Sequence, residues 1–164
     1  MTPPVDDPPL HIVLYEPEIP QNTGNAGRLC VAIGAVLHVV RPIPFQMDEK
    51  AVRRAGLDYW HLVDLRRHLD MPHFAREIPP ERWLLFSALA EKSYVEAPFE
   101  PGCALIFGKE SVGLPEDLVA QHADRVYGIP TSGGVRSLNL ATAAGIVLYE
   151  GLRATGSLAG AVRR

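Results

Sequence analysis

Ala104-Leu105-Ile106-Phe107-Gly108-Lys109-Glu110-Ser111-Val112-Gly113-Leu114-Pro115 is the stretch on which the fold turns. Its apolar run follows Pro101-Gly102 and ends at a glycine, which reads as a strand buried on both faces. Pro115 suits a first helical position, and Glu116 and Asp117 favour the positive end of that helix's dipole. Strand, glycine loop and helix make the repeating unit of a parallel α/β sheet. Working outward, Leu10–Tyr15, Ala35–Val40, Tyr59–Val63, Trp83–Phe86 and Arg125–Ile129 read as further strands. Helices are predicted over Asn22–Ile33, with Asn22 as N-cap and Gly34 as stop, and over Asp48–Ala55, stopped by Gly56. Two more are predicted over Asp64–Ala75, interrupted near Pro72, and over Ser137–Arg153, with Ser137 as N-cap. The alternation predicts one α/β domain, a parallel sheet covered by helices on both faces.

A chain of 164 residues supports one full core and no comfortable second one. The expected organisation is a disordered lead over 1–9, the domain over 10–156 and a tail over 157–164. Apolar residues make up 47% and charged residues 21%, ordinary for a globular protein. No apolar run approaches the roughly 20 residues that span a bilayer, and Met1–Pro9 lacks the basic and apolar regions of a signal peptide. No membrane association and a cytoplasmic location are therefore expected. The net charge of −3 argues against binding to nucleic acid through a general positive field, leaving room for a local patch around Arg53 and Arg54. Cys30 and Cys103 sit in apolar surroundings and read as buried reduced thiols. The histidines show no metal-ligand spacing: His68 and His73, five apart, fall on different faces of the predicted helix, and no metal is expected.

Familiar nucleotide signatures are missing. Gly108-Lys109 fails as a phosphate-binding P-loop because Gly102 lies one residue too far back and Glu110 replaces the hydroxyl residue. No G-x-G-x-x-G follows the first strand, and no G-x-S-x-G elbow precedes a helix. What remains is three glycine- and amide-rich corners, each just after an apolar run: Asn22-Thr23-Gly24-Asn25-Ala26-Gly27-Arg28, Gly108–Pro115, and Ile129-Pro130-Thr131-Ser132-Gly133-Gly134-Val135-Arg136-Ser137-Leu138-Asn139-Leu140. Asn25 and Arg28 share a helix face. In open parallel sheets, ligands bind at such junctions, so three together suggest one composite site. The closing helix is apolar on two stripes, Leu138, Ala141, Gly145, Leu148 and Leu152 on one and Leu140, Ala144 and Val147 on the other. Burial in its own core and a homodimer interface account for that equally well.

The order N-x-G-N-x-x-R, F-G-x-E-x-x-G-L-P and I-P-x(6)-R-S-L-N resembles the SPOUT class of RNA methyltransferases. Within that class it is similar to the small tRNA (cytidine/uridine) wobble-position 2′-O-methyltransferases, whose pattern Ile12–Pro20 and Arg53–Tyr59 also match. The likeness extends over Leu10–Arg153. It implies a C-terminal trefoil knot, which no periodicity shows. It also implies S-adenosylmethionine as methyl donor, with S-adenosylhomocysteine as product, tRNA as substrate, and a homodimer packed through the first and last helices.

By position, the resemblance places the donor against Phe86, Ser87, Gly108, Ile129, Ser137 and Leu138. Ser87-Ala88-Leu89 stands where relatives often carry Thr-Thr-Lys, and Ala141 where a serine is common. Arg28, Asn25, Glu110, Ser137 and Asn139 are the expected catalytic set. A guanidinium stays protonated, so Arg28 suits stabilisation of a developing ribose alkoxide better than proton abstraction, with Glu110 orienting it. Asn25, Ser137 and Asn139 are expected to fix ribose and donor geometry. Tyr149 reads as nucleotide contact or dimer packing. The competing readings are a non-catalytic RNA-binding dimer of the same fold, methylation at another tRNA or rRNA position, and a flavodoxin-like nucleotide-binding module.

Overall fold

The computed structural model describes residues 4–47, 49–54, 57–158, 160 and 162, without the side chains of 49, 52 and 53. Six strands, all parallel, form one sheet: β1 (His11–Tyr15), β2 (Val36–Val40), β3 (Leu65–His68), β4 (Trp83–Phe86), β5 (Ala104–Phe107) and β6 (Val126–Tyr127). Their order is β3-β2-β1-β5-β4-β6. The chain builds outward from β1 to β2 and β3, then returns to the far side of β1 to lay down the remaining strands. The order therefore reverses between β1 and β5. Among the described residues the helices are α1 (Pro20–Ile33), α2 (Glu49–Arg54), α3 (Met71–Glu77), α4 (Glu116–Gln121) and α5 (Leu140–Ala154).

Alternation along each strand divides the core. Ile12, Leu14, Leu37, Val39, Leu84, Phe86, Leu105 and Phe107 face Ala26 and Cys30 of α1 and Ala144, Val147, Leu148 and Leu152 of α5. Val13, Val40, Leu85, Ala104 and Ile106 face Phe74 of α3 and Leu118 of α4. Both cysteines are buried free thiols, and burial pushes each thiol's pKa up. No helix among the described residues is long and apolar enough to cross a membrane.

The elements differ from expectation in four places. Residues Trp60–Leu62 form a 3-10 turn, and the third strand is Leu65–His68 instead. The apolar look of Tyr59–Val63 comes from packing against α1: Trp60 and Val63 side-chain atoms lie where a Cβ on Gly27 would stand. The helix expected over Asp64–Ala75 is confined to α3, capped by the Asp70 side chain accepting from the His73 N–H at 2.8 Å. Pro72 thus occupies the first turn, where a proline begins a helix rather than interrupting it.

Helix α1 begins at Pro20, so Asn22 lies inside it rather than capping it, and α5 is capped by Asn139 rather than Ser137. Gly34 ends α1 in the left-handed conformation, at φ 70°. The predicted ends of α2, Asp48 and Ala55 with Gly56, lie outside the described residues. Of the expected lead, Val5 donates to Asp64 Oδ2 at 2.8 Å and Pro9 accepts from the Gly102 N–H at 2.7 Å, so these residues are tied to the domain.

Leu105 is fully buried on the middle strands. Leu105→Ala should cost about 3 kcal/mol of unfolding free energy, read as a lower urea midpoint at unchanged slope.

Candidate functional site

The carboxyl ends of β1, β5, β4 and β6 carry the three corners. Helix α1 starts with Ile19 as an N-cap that offers no side-chain acceptor, so its first backbone donors need a partner from elsewhere. Glu110, in the loop after β5, supplies it. Its carboxylate accepts from the N–H groups of Glu18 at 3.0 Å and Ile19 at 2.6 Å, and from Asn22 Nδ2 at 3.3 Å. Asn22 Oδ1 in turn accepts from Asn139 Nδ2 at 3.0 Å, while Asn139 Oδ1 accepts from the Thr142 N–H at 3.2 Å and so caps α5. One continuous chain of hydrogen bonds thereby joins all three corners.

The connection is reciprocal. Glu18 accepts from the Ser111 hydroxyl at 2.6 Å and from its N–H at 2.9 Å, and these bonds hold the Glu18 carboxyl below the usual carboxylate range. Lys109 Nζ reaches Glu16 at 3.5 Å.

Glycine is required where the loop after β5 turns back on itself. The Gly113 N–H donates to the Lys109 carbonyl at 2.9 Å, and a Cβ on Gly108 would stand 2.1 Å from the Gly113 carbonyl carbon. A similar corner follows β6, where a Cβ on Gly128 would lie 2.7 Å from the Ser87 carbonyl oxygen. Gly128 is also bonded to Lys92 and Tyr94, tying the segment after β4 to the start of the last corner. Phe86 and Phe107, paired in the sheet and stacked with centroids 5.2 Å apart, floor this region. Thr131–Ser137 runs over the surface, exposed at each residue, to half-buried Leu138.

Phe86, Ser87, Gly108 and Ile129 thus lie at the ends of three adjacent strands, and Glu110 and Asn139 meet through Asn22. Asn22 is only 5% exposed, and sequence reasoning missed its role as the bridge. Its signal was available, because it opens the N-x-G-N-x-x-R pattern, but an asparagine before a helix reads first as a cap. Arg28 stands apart. It is exposed, and its guanidinium lies 5.5 Å from the centre of the Tyr59 ring. Tyr59 is itself held by donating its hydroxyl to the Gly24 carbonyl at 3.0 Å. Arg28 is six residues beyond Asn22, roughly 9 Å along the axis. The expected orienting contact from Glu110 is therefore not formed: Glu110 is engaged with the start of α1. Asn25 is exposed on the same side as Arg28 and lines a cavity of about 460 Å³ with Thr23, Phe45, Met47 and Trp60.

The carboxyl ends of β4, β5 and β6 thus bring together backbone groups, glycines and stacked rings, beside the carboxylates of Glu16, Glu18 and Glu110 and the ammonium of Lys109. The chain belongs to the SpoU rRNA methylase family, whose model matches residues 9–149. It is 40% identical over 148 residues to the Escherichia coli (strain K12) tRNA (cytidine(34)-2'-O)-methyltransferase, covering 90% of this chain and 94% of that one. A solved structure concerned with 2-OH methylation of C/U34 on tRNA superposes with a TM-score of 0.79 at 47% identity, covering 88% of this chain and 94% of its own. The AdoMet-bound rRNA methyltransferase from Sinorhizobium meliloti superposes at 0.77 with 25% identity, covering 92% of this chain and 58% of that one.

The amide contact between Asn22 and Asn139 should be coupled. A double-mutant cycle of Asn22→Ala and Asn139→Ala, followed by denaturant unfolding, should return an interaction energy of about 1 kcal/mol. Additive losses would mean that the two corners are held by other contacts.

Proposed function

We propose that this protein transfers the methyl group of S-adenosylmethionine to the ribose 2′-hydroxyl of the wobble nucleotide, cytidine or uridine 34, of tRNA, in the cytoplasm. The observation that carries this reading is the hydrogen-bonded joining of the loops after β1, β5 and β6, beside the reversal of strand order between β1 and β5, in a chain of the SpoU family. The adenosyl donor belongs against Phe86, Ser87, Gly108, Ile129, Ser137 and Leu138. Backbone groups of the last corner provide its polar contacts. When bound, the donor supplies an electrophilic methyl group and leaves as the neutral thioether, S-adenosylhomocysteine.

The residues of the chain then have distinct work. The Glu110–Asn22–Asn139 chain fixes the distance between the first and last corners, so that an attacking hydroxyl can be aligned in line with the methyl group. Arg28, seated on Tyr59 yet exposed, offers a permanent positive charge to the oxygen as its proton leaves to water or to an RNA phosphate. Asn25, beside the cavity, and Ser137 position the ribose. The basic surface needed by a net-negative chain is assigned to the Arg53–Arg54 region. Arg54 is exposed, and the Arg53 side chain lies outside the described residues.

Two helices complete the reading. Gln21, Asn25, Arg28 and Ala32 form one exposed stripe on α1, and Thr142, Gly145, Ile146 and Tyr149 form an exposed to half-buried strip on the neighbouring α5. Leu29 of α1 lies 3.5 Å from the position of a Cβ on Gly145, so the strips adjoin. A homodimer through this surface would cover Tyr149, an exposed large aromatic. The resemblance also implies that the chain after β6 threads a knot.

Incubation with tritiated donor and bulk tRNA should transfer label, and nucleoside mass spectrometry should locate it on the ribose of nucleotide 34. Arg28→Ala should lower turnover at least 100-fold while tRNA binding persists, the size expected for removing one oxyanion donor. Label transfer by wild type to no RNA would leave a binding protein rather than an enzyme. In dilute solution, light scattering should give twice the mass of one chain; the mass of a single chain would remove the dimer.

A further inference from the structure

On the sheet face away from α1 and α5, four histidines run in line. His11 Nδ1 meets His38 Nε2 at 2.9 Å, His38 Nδ1 meets His68 Nε2 at 2.9 Å, and His68 Nδ1 meets His73 Nδ1 at 3.0 Å. The row crosses the sheet diagonally: Val13 pairs with His38, and Val40 with His68. The expected separation of His68 and His73 onto different helix faces is thus overturned, because His68 ends a strand and His73 opens the helix that folds back over it.

Glu77, at the end of α3, brings a carboxylate to the middle of the row. Its Oε2 lies 3.6 Å from His68 Nε2 and 4.0 Å from His38 Nδ1. With 2.9 Å between the two nitrogens, these separations define a triangle with a point about 2.1 Å from all three atoms, the bond length zinc makes to imidazole and carboxylate.

We propose that His38 Nδ1, His68 Nε2 and Glu77 Oε2 form a binding site for one divalent zinc-class metal ion, with water as the remaining ligand. The site is separate from the methyl-transfer corners. It would clip the edge strand β3 and helix α3 to β2.

The surroundings meet the other requirements. Metal binding needs N–H on His38 Nε2 and on His68 Nδ1, and both can then donate outward, to His11 Nδ1 and His73 Nδ1. Such outer partners orient ligating imidazoles. The change from the hydrogen-bonded row is a shift of tautomers, with no net proton released from neutral rings. Both rings are buried among apolar side chains, which favours the neutral imidazole that ligates a metal.

Arg66 pairs with Asp64 at 2.9 Å and with Glu77 Oε1, leaving Oε2 toward the histidines. Two carboxylates against one guanidinium leave a net negative charge for a cation to offset. His38 is fully buried and His68 nearly so, but the Glu77 side chain is 32% exposed and opens a path to solvent.

The test uses the full chain without a polyhistidine tag, stripped by chelator and titrated with cobalt and with zinc. Wild type should bind one cobalt with the intense visible bands of four-coordinate Co²⁺, and zinc should abolish them. Zinc at 100 times its dissociation constant should raise the thermal midpoint by roughly 5–10 °C. Glu77→Gln, at a partly exposed position, and His68→Gln should each weaken cobalt binding roughly 10- to 100-fold, and His61→Ala should not. Circular dichroism would verify that each variant is folded. Absence of both signals in the wild type would overturn the proposal, whatever the variants do. So would wild-type affinity in both ligand variants, which would place the metal at the surface.

Discussion

A single carboxylate, that of Glu110, ties the loop after β5 to the start of α1 at the carboxyl end of the sheet. Helix α1 begins without a side-chain cap of its own, and its leading amides point out of the carboxyl end of β1. Glu110 accepts from the N-cap amide of Ile19 and from that of Glu18 just before it, placing a formal negative charge at the end of the helix where the dipole most favours one. It can do so because β1 and β5 are neighbours in the sheet, so the loops that leave them run side by side. Glu18 returns the bond to Ser111, and Asn22 relays it to Asn139 and the start of α5. Once those bonds form, the relative placement of three loops is no longer free. The alignment on which the proposed methyl transfer depends would then be set before either substrate arrives.

The two faces of the sheet serve different ends. Toward α1 and α5 the core cluster is apolar, and small residues let neighbours sit close: Leu57 approaches Gly24, and Leu29 approaches Gly145. That close packing leaves an exposed stripe on which Asn25 and Arg28 stand. Toward α3 and α4 the core accepts polar groups, because the histidine row satisfies its own nitrogens and Phe74 covers two of its rings edge-on at 5.1 Å. Its burial depends on all its members being present.

Much of the fold could be read from the chain alone. Leu10–Tyr15, Ala35–Val40, Trp83–Phe86 and Ala104–Phe107 are apolar runs, broken only by His11 and His38, because their strands are covered on both faces, and each lies within a residue of the observed strand. The edge strand was hidden for the opposite reason. Leu65-Arg66-Arg67-His68 has one neighbour and an open side, so it carries charges that mimic a helix surface. The composite site was legible as three corners, and the resemblance assigned their roles. The partner of Glu110 was not legible, because a carboxylate beside a lysine and a serine gives no hint that it caps a helix some 90 residues earlier in the chain.

By itself the sequence determined the alternation of strand and helix, the glycines at the corners and the family. These follow from local properties: side-chain hydrophobicity, backbone freedom and residue order. Only the tertiary structure decided which polar groups meet. Asn22 and Asn139 are 117 positions apart, and His11, His38 and His68 come from three different strands. Strand order and register bring such groups within 3 Å, and neither is encoded in the spacing of the residues concerned.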